Sequence, residues 1–298
     1  MPRAALLSLH ARVEGVAPDT WEDPALVQLW GPRFSAYVVA ARDRAVFTLG
    51  RYPEDAHGRQ VTEDVAARLQ AHLAGRRLPF EDAAAVAVPH GHPNRLRYAA
   101  PTGTLVMRWD GARQPLIWNL PRPDVEPVEA RRELARRYLH VFGPTTPAAF
   151  SEWAGIGPAQ GRAAFDDLAA AAELTEVSTP LGDALIVAAD EASFRAAPGA
   201  AAAARLLPSG DTFYLLQGAQ RDLLVPDASR RPLLWTSRVW PGALLIDGEV
   251  AGTWRRDQAR LTIETWRRLS PAERVAVEEE AASLPLPARR GPIEVIWA

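Results

Sequence analysis

Residues 143–155, GPTTPAAFSEWAG, fence a helix between two fixed ends. Thr146 carries the short oxygen side chain that accepts from first-turn N–H groups. Pro147 falls at the first helical position, where its missing N–H costs nothing. Gly155 supplies the left-handed residue that closes a helix. About two turns fit between these ends. A chain that stops a helix so soon, between two longer amphipathic segments, is either presenting a turn to a partner or filling a helical core.

The flanks favour an ordered module. EPVEARRELARRYLHVFG (126–143) predicts an amphipathic helix with Leu134, Tyr138 and Phe142 on one face and Glu133 four residues before Arg137. GPAQGRAAFDDLAAAAEL predicts a third helix, and LTEVSTPLGDALIVAAD reads strand, turn, strand. Helix, short capped helix, sharp turn, helix and hairpin is the order of a winged helix-turn-helix. Two weaker copies precede it. In the first, LLSLHARVEG and TWEDPALVQLWG read as helices and RFSAYVVAARDRAVFTLG as a hairpin turning at Arg42-Asp43. In the second, VTEDVAARLQAHLAG reads as a helix capped by Thr62 and stopped by Gly75, and TLVMRWDGARQPLIWNL as a hairpin around Asp110-Gly111. Proline-rich PRPDVEPVE and Ala-rich AAPGAAAAARLLP read as connections between modules. Beyond them GALLIDGEVAGTW predicts a hairpin at Asp247-Gly248, and SPAERVAVEEEAASL a helix with a Ser270/Glu273 capping box. The expected fold is therefore α+β, with three tandem winged helix-turn-helix units at 1–58 (incomplete), 59–122 and 123–200. A β-rich element at 201–298 follows them.

Composition narrows the function. No Cys is present, which excludes disulfides and thiolate metal sites. No apolar run is long enough for a membrane span, and the first residues lack a signal-peptide pattern. A cytoplasmic monomer is the expectation. Formal net charge is −2, unlike a protein that coats nucleic acid. Every basic side chain is Arg, the residue suited to bidentate phosphate and guanine contacts, although codon bias alone produces the same pattern.

Gln160 and Arg162, early on the third helix of the 123–200 unit, are the side chains placed to reach bases or phosphates; packing alone is the rival reading. Arg95 and Arg97 hold the equivalent place in the second unit. GTWRRDQARLTIETWRRL combines arginines with Trp254 and Trp266, which serve either stacking on nucleic acid or strand packing. His90 and His92 lack a third ligand, so no metal is expected. No Gly-x-Ser-x-Gly, His-Glu-x-x-His or phosphate-cradling glycine loop occurs. Glu81-Asp82 and Asp166-Asp167 are adjacent on helices and splay apart.

ARRYLHVFGPTTPAAFSEWAGI, RLLPSGDTFYLLQGAQRDLL and LLIDGEVAGTWRR resemble the AlkZ/YcaQ-type winged-helix DNA glycosylases over roughly residues 1–285. The resemblance implies duplex DNA, damaged by alkylation, as partner. It implies metal-independent, cofactor-free hydrolysis of the N-glycosidic bond, including unhooking of crosslinks. The family signature is Gln-x-Gln or Gln-x-Asp near the end of the first helix, where its side chains position water and stabilise an oxocarbenium-like sugar. Here MPRAALLSLHARVEG begins where the family has passed its glutamines, so the signature is absent from this chain. Two explanations stand: a protein that binds without cleaving, as a non-catalytic DNA- or ligand-binding regulator, or an upstream helix left out by a misplaced start codon. A Met-Arg-Gly-Thr-x-His-like stretch of the family reads GPRFSAYVV, keeping Arg33 and bringing Phe34, Ser35 and Tyr37. By the same resemblance Asp211, Gln220 and Arg221 match polar residues lining the cleft, and Trp254 and Arg255 match the Gly-x-Trp-Arg hairpin. With Arg33, Arg95, Arg97, Gln160 and Arg162, the last two complete the expected DNA-contacting set.

Overall fold

The computed structural model describes residues 2–109, 114–215, 219–286 and 291–298. The chain divides into two compact units, one of Met1–Asp23 with Ala197–Ala298, the other of Pro24–Ala196. The first residues thus belong with the C-terminal third, not with residues 24–58. The reason is apolar: Leu7 of α1 (Pro2–His10) is buried in one cluster with Leu206, Leu244 and Ile263.

In the 24–196 unit, β1 (Leu26–Trp30) and β2 (Ala36–Ala40) pair antiparallel, with Trp30 opposite Ala36. The helix expected over TWEDPALVQLWG is instead a 3₁₀ turn, Thr20–Glu22, followed by β1. Leu29 and Trp30 are buried, and β1 has a strand on each side. A strand covered on both faces reads as a continuous apolar run, which periodicity cannot tell from a buried helix. The hairpin turn lies at residues 31–35, not at Arg42-Asp43, where a 3₁₀ turn (Ala41–Asp43) leads into α2 (Arg44–Leu49).

Next come α3 (Ala56–Leu73), β3 (Leu78–Pro79), α4 (Phe80–Ala87), a 3₁₀ helix (Pro93–Thr102), β4 (Leu105–Arg108) and β5 (Leu116–Asn119). The cap of α3 is Asp55, which accepts from the Gly58 N–H; Thr62 is buried within the helix. The Asp110-Gly111 turn lies outside the described residues, but the flanking strands pair as expected, Leu105 opposite Asn119. Among the described residues one five-stranded sheet has the order β2-β1-β4-β5-β3. Strands assigned from sequence to separate units at 1–58 and 59–122 therefore share one sheet, joined where Gln28 of β1 pairs with Met107 of β4.

The stretch 127–187 follows the expected order: α5 (Pro127–Phe142), α6 (Pro147–Ala154), α7 (Pro158–Ala170), β6 (Leu174–Thr179) and β7 (Gly182–Val187). Thr146 caps α6 by accepting from the Ala149 N–H, and Gly155 takes the left-handed conformation, φ 69°. Leu134, Tyr138, Phe150, Phe165 and Leu168 bury together. Short α8 (Glu191–Arg195) ends the unit, and the Ala-rich run after it forms no helix.

The other unit resumes at β8 (Ala204–Leu207) and continues through α9 (Ala219–Leu224), α10 (Arg231–Leu234), β9 (Gly242–Ile246), β10 (Glu249–Asp257), β11 (Arg260–Thr265), α11 (Pro271–Ser283) and β12 (Glu294–Trp297). Its sheet has the order β12-β11-β10-β9-β8. The expected Asp247-Gly248 turn joins β9 to β10, both residues at positive φ (50° and 85°), as a type I′ hairpin requires.

The capping box of α11 forms as read. Ser270 Oγ accepts from the Glu273 N–H, and Glu273 accepts in return from the Ser270 N–H at 2.7 Å and from Arg267 at 2.6 Å. The Arg267 hydrogen bond, followed by that from the Ser270 N–H, holds the Glu273 carboxyl down at about 2. Its folded value lies below the unfolded one, so the unfolded chain binds the extra proton first and stability is lost as pH falls from about 4.5 to about 2. Glu273→Gln is expected to flatten that part of a urea-midpoint profile, and an unchanged slope would show the box makes no net contribution.

Among the described residues no helix is long and apolar enough to cross a membrane.

Candidate nucleic-acid interface

Among the described residues of the 24–196 unit, the turn at 31–35 has two consecutive non-glycine residues in the left-handed region, Arg33 and Phe34 at φ 52° and 54°. Such conformations cost energy and gather at functional positions. Hydrogen bonds hold this one, from the Gly31 N–H to the Ser35 carbonyl at 2.9 Å and from the Phe34 N–H to the Gly31 carbonyl at 3.0 Å. The turn lies against Gly155, where a Cβ would come within 3.3 Å of Arg33 N and Cα. The tight bend between α6 and α7 and the bend between β1 and β2 thus meet backbone to backbone.

Arg51 is locked beneath this contact. It is 4% exposed, donates from Nε to the Ala154 carbonyl at 2.8 Å and from Nη1 to the Trp30 carbonyl at 3.4 Å, and lies 4.5 Å over the Phe34 ring. Burial pulls its pKa down to about 10, opposed by Tyr37. Burial raises the pKa of Tyr37, and the charges of Arg33 and Arg51 work the other way.

The 3₁₀ helix at Pro93–Thr102 supplies the next side chains. His92 caps it, Nδ1 accepting from the Asn94 N–H, so this histidine has a local structural task. Tyr98 packs against Phe34 at 5.3 Å between ring centroids. Arg97 reaches the Phe34 carbonyl at 3.5 Å and lies 5.8 Å over Trp30; its Nε is buried without a partner, and burial lowers its pKa. Arg95 is exposed.

Between these elements lies a cavity of about 350 Å³, lined among others by Phe34, Arg51, Arg95, Tyr98, Gly157 and Gln160. That is at the small end of ligand-sized cavities. Gln160 is not free to read bases: its Oε1 accepts from the Gly157 N–H and its Nε2 donates to the Tyr52 carbonyl at 3.2 Å. Arg162, two residues on along α7, is exposed.

Charge pairing separates these arginines from some others of the same unit, although Arg44, Arg59, Arg68, Arg76 and Arg77 also have no carboxylate within ion-pair distance among the described residues. Arg122, Arg131, Arg136, Arg137 and Arg195 each hold a carboxylate. Among the described residues none lies within ion-pair distance of Arg33, Arg51, Arg95, Arg97 or Arg162. The fold therefore brings together Arg33, Arg95, Arg97 and Gln160 of the expected set. It adds Arg51, Phe34 and Tyr98, which the sequence reading passed over. Nothing in the sequence around Arg51, LGRYPED, marks it as more than a surface arginine after a helix end.

The remaining expected residues belong to the other unit and have structural surroundings. Asp211 is 2% exposed and accepts from Ser8 Oγ at 2.6 Å, from Arg12 Nη2 at 2.7 Å and Nη1 at 3.0 Å, and from the Phe213 N–H. Trp254 is a core residue rather than a stacking surface: it is 5% exposed and its Nε1 donates to the Leu207 carbonyl at 2.8 Å. Arg255 is exposed and reaches the Val239 carbonyl. Gln220 is half-buried on α9. Next to it, Arg221 lies 4.8 Å over Trp235 and 5.5 Å over Trp240, and burial lowers its pKa.

A family model described as DNA glycosylase AlkZ-like matches residues 1–285. A comparison with curated proteins gives no match. Among solved structures, the Streptomyces sahachiroi DNA glycosylase AlkZ is similar to this chain with a TM-score of 0.76, covering 99% of this chain and 89% of that one. The two share 18% of their residues, so the likeness is one of fold.

Proposed function

The chain belongs to the AlkZ-like DNA glycosylase family, and from that premise we propose that it binds duplex DNA carrying alkylated bases, excision of those bases being the activity the family implies. The observation that carries the reading is the gathering of Arg33, Arg51, Arg95 and Arg97 about the 31–35 turn and its cavity, none with a carboxylate within ion-pair distance among the described residues. Unpaired arginines displace counterions from a phosphate backbone, and that release dominates affinity for DNA. A chain of net charge −2 can do this when pairing neutralises its arginines elsewhere.

In this reading α5, α6, α7 and the β6–β7 hairpin form a winged helix-turn-helix with α7 as its recognition helix, and the hairpins β1–β2 and β4–β5 are the wings of two further units. Arg162 contacts the duplex from α7, because Gln160 is already bonded at both ends of its amide. Arg33, Arg95 and Arg97 position the backbone, and Arg255 adds a contact from the other unit.

Fluorescence anisotropy on a short duplex tests the binding. Affinity is expected to fall by about 10³ or more between about 50 and 200 mM salt if six or more phosphates are contacted. Arg95→Ala and Arg162→Ala are each expected to lower the log–log salt slope by about one. Affinity independent of salt would refute the interface. Release of N7-methylguanine from a methylated duplex tests the chemistry. A second reading, a binder without excision activity, is favoured by the first hairpin turn, where Phe34, Ser35 and Tyr37 replace the family's Gly-Thr-x-His-like stretch. Tight, salt-dependent binding with no base release would establish it.

A further inference from the structure

Two arginines of the 24–196 unit are buried to nearly the same depth and have opposite surroundings. Arg131, 3% exposed, has Glu54 against it. Arg51, 4% exposed, has two backbone carbonyls, the face of Phe34 and, among the described residues, no carboxylate within ion-pair distance. Carbonyl oxygens satisfy N–H groups but do not neutralise a charge. A buried cation without a counter-charge is among the most unfavourable groups a fold can hold. Arg51 also lines the cavity. A guanidinium kept buried and unneutralised at a cavity wall awaits an anion from outside.

The rest of the wall suits one. Arg95 is exposed at the same cavity and carries no ion pair. Gly157 and Gln160 bring the first turn of α7 to it, and the positive end of a helix of thirteen residues adds to the field of Arg51. Of the other titratable groups at the wall, Asp55 is exposed and accepts from the Gly58 N–H, keeping its negative charge in contact with solvent, and His57 and Tyr98 are exposed.

We propose that this cavity is a socket for one phosphoryl group, seated on Arg51 and closed by Arg95. Guanidinium and phosphate match bidentately, which a tetrahedral oxyanion exploits better than a halide does. The socket rests on the DNA-binding reading for the origin of that group. The same chemistry is offered by an internal phosphodiester pressed into the cavity and by the terminal phosphomonoester of a strand end.

The test starts with the full chain and inorganic phosphate at constant ionic strength, made up with chloride. Thermal unfolding is expected to shift upward by a few degrees with phosphate and not with chloride. The shift is expected to vanish in Arg51→Met and to shrink in Arg95→Ala. Equal responses to phosphate and chloride, or a response retained in Arg51→Met, would overturn the socket. Should Arg51→Met fail to fold, Arg95→Ala decides, since that side chain is exposed: an undiminished phosphate shift counts against the proposal. Two duplexes then separate the sources. Binding at least tenfold tighter to a 5′-phosphorylated duplex than to its 5′-hydroxyl twin identifies a strand end. Equal binding to both, lowered in Arg51→Met, identifies a phosphodiester. If salt-dependent duplex binding survives in Arg51→Met and phosphate gives no shift, the socket falls alone. If phosphate shifts the wild type but no duplex binds, the DNA reading falls and the socket stands.

Discussion

Replacing Trp254 with alanine is expected to destabilise its own unit by about 3–5 kcal/mol, the range for deleting a large buried aromatic side chain. Trp254 sits in β10 between Gly242 and Ile263, buried with Leu206, Leu244, Leu261 and Val277. Its ring fills the space over Gly242 so closely that a Cβ there would come within 2.2 Å of Nε1. Relaxation into the hole is limited because neighbours on both sides are fixed in the ladder. Losing the ring also strands the Leu207 carbonyl that its Nε1 satisfies. The measurement is urea unfolding together with amide exchange in β9, β10 and β11. If stability and exchange stay unchanged while duplex affinity falls, the packing account fails and Trp254 is a stacking surface after all.

Asp211→Ala is expected to cost about 2–4 kcal/mol and to release α1 from the C-terminal part of its unit. The carboxylate is the shared acceptor for Ser8 Oγ and for two nitrogens of Arg12, 203 and 199 residues earlier in sequence, and for the local Phe213 N–H. The Arg12 side chain is 43% exposed and can return to water, which keeps the penalty below that of stranding a fully buried cation. Amide exchange is the decisive readout: protection should be lost in α1 and retained in β9–β11. Protection unchanged in both, with base release abolished, would return Asp211 to a direct part in the chemistry.

Helix ends and hairpin turns were legible because they depend on a few residues with strong local preferences. Thr146, Pro147, Gly155, Asp247-Gly248 and the Ser270/Glu273 pair each act within three or four residues of themselves. Strand β1 was not legible: its apolar run is explained only by strands that lie beside it at residues 36–40 and 105–108. Thr62 has the side chain of a helix cap, but Asp55 starts the helix about two turns earlier and Thr62 is enclosed. At the candidate interface, residue type drew attention to Arg33, Arg95 and Arg97, while Arg51 became visible only through what it lacks. An absent counter-charge is a property of three-dimensional surroundings and leaves no trace in neighbouring letters. Trp254 was ambiguous for the opposite reason, since core strands and stacking surfaces use the same ring.

The unit that holds both Leu7 and Ile263 has an unusual timetable. Its α1 is made before residues 24–196, and the strands that share its apolar cluster are made after them. Residues 24–196 are complete and able to bury their own apolar surface long before then, as units generally do during synthesis. Until residues 204–286 emerge, Leu7 has none of the partners it is buried with. Closing so long a loop makes this unit the slower to assemble.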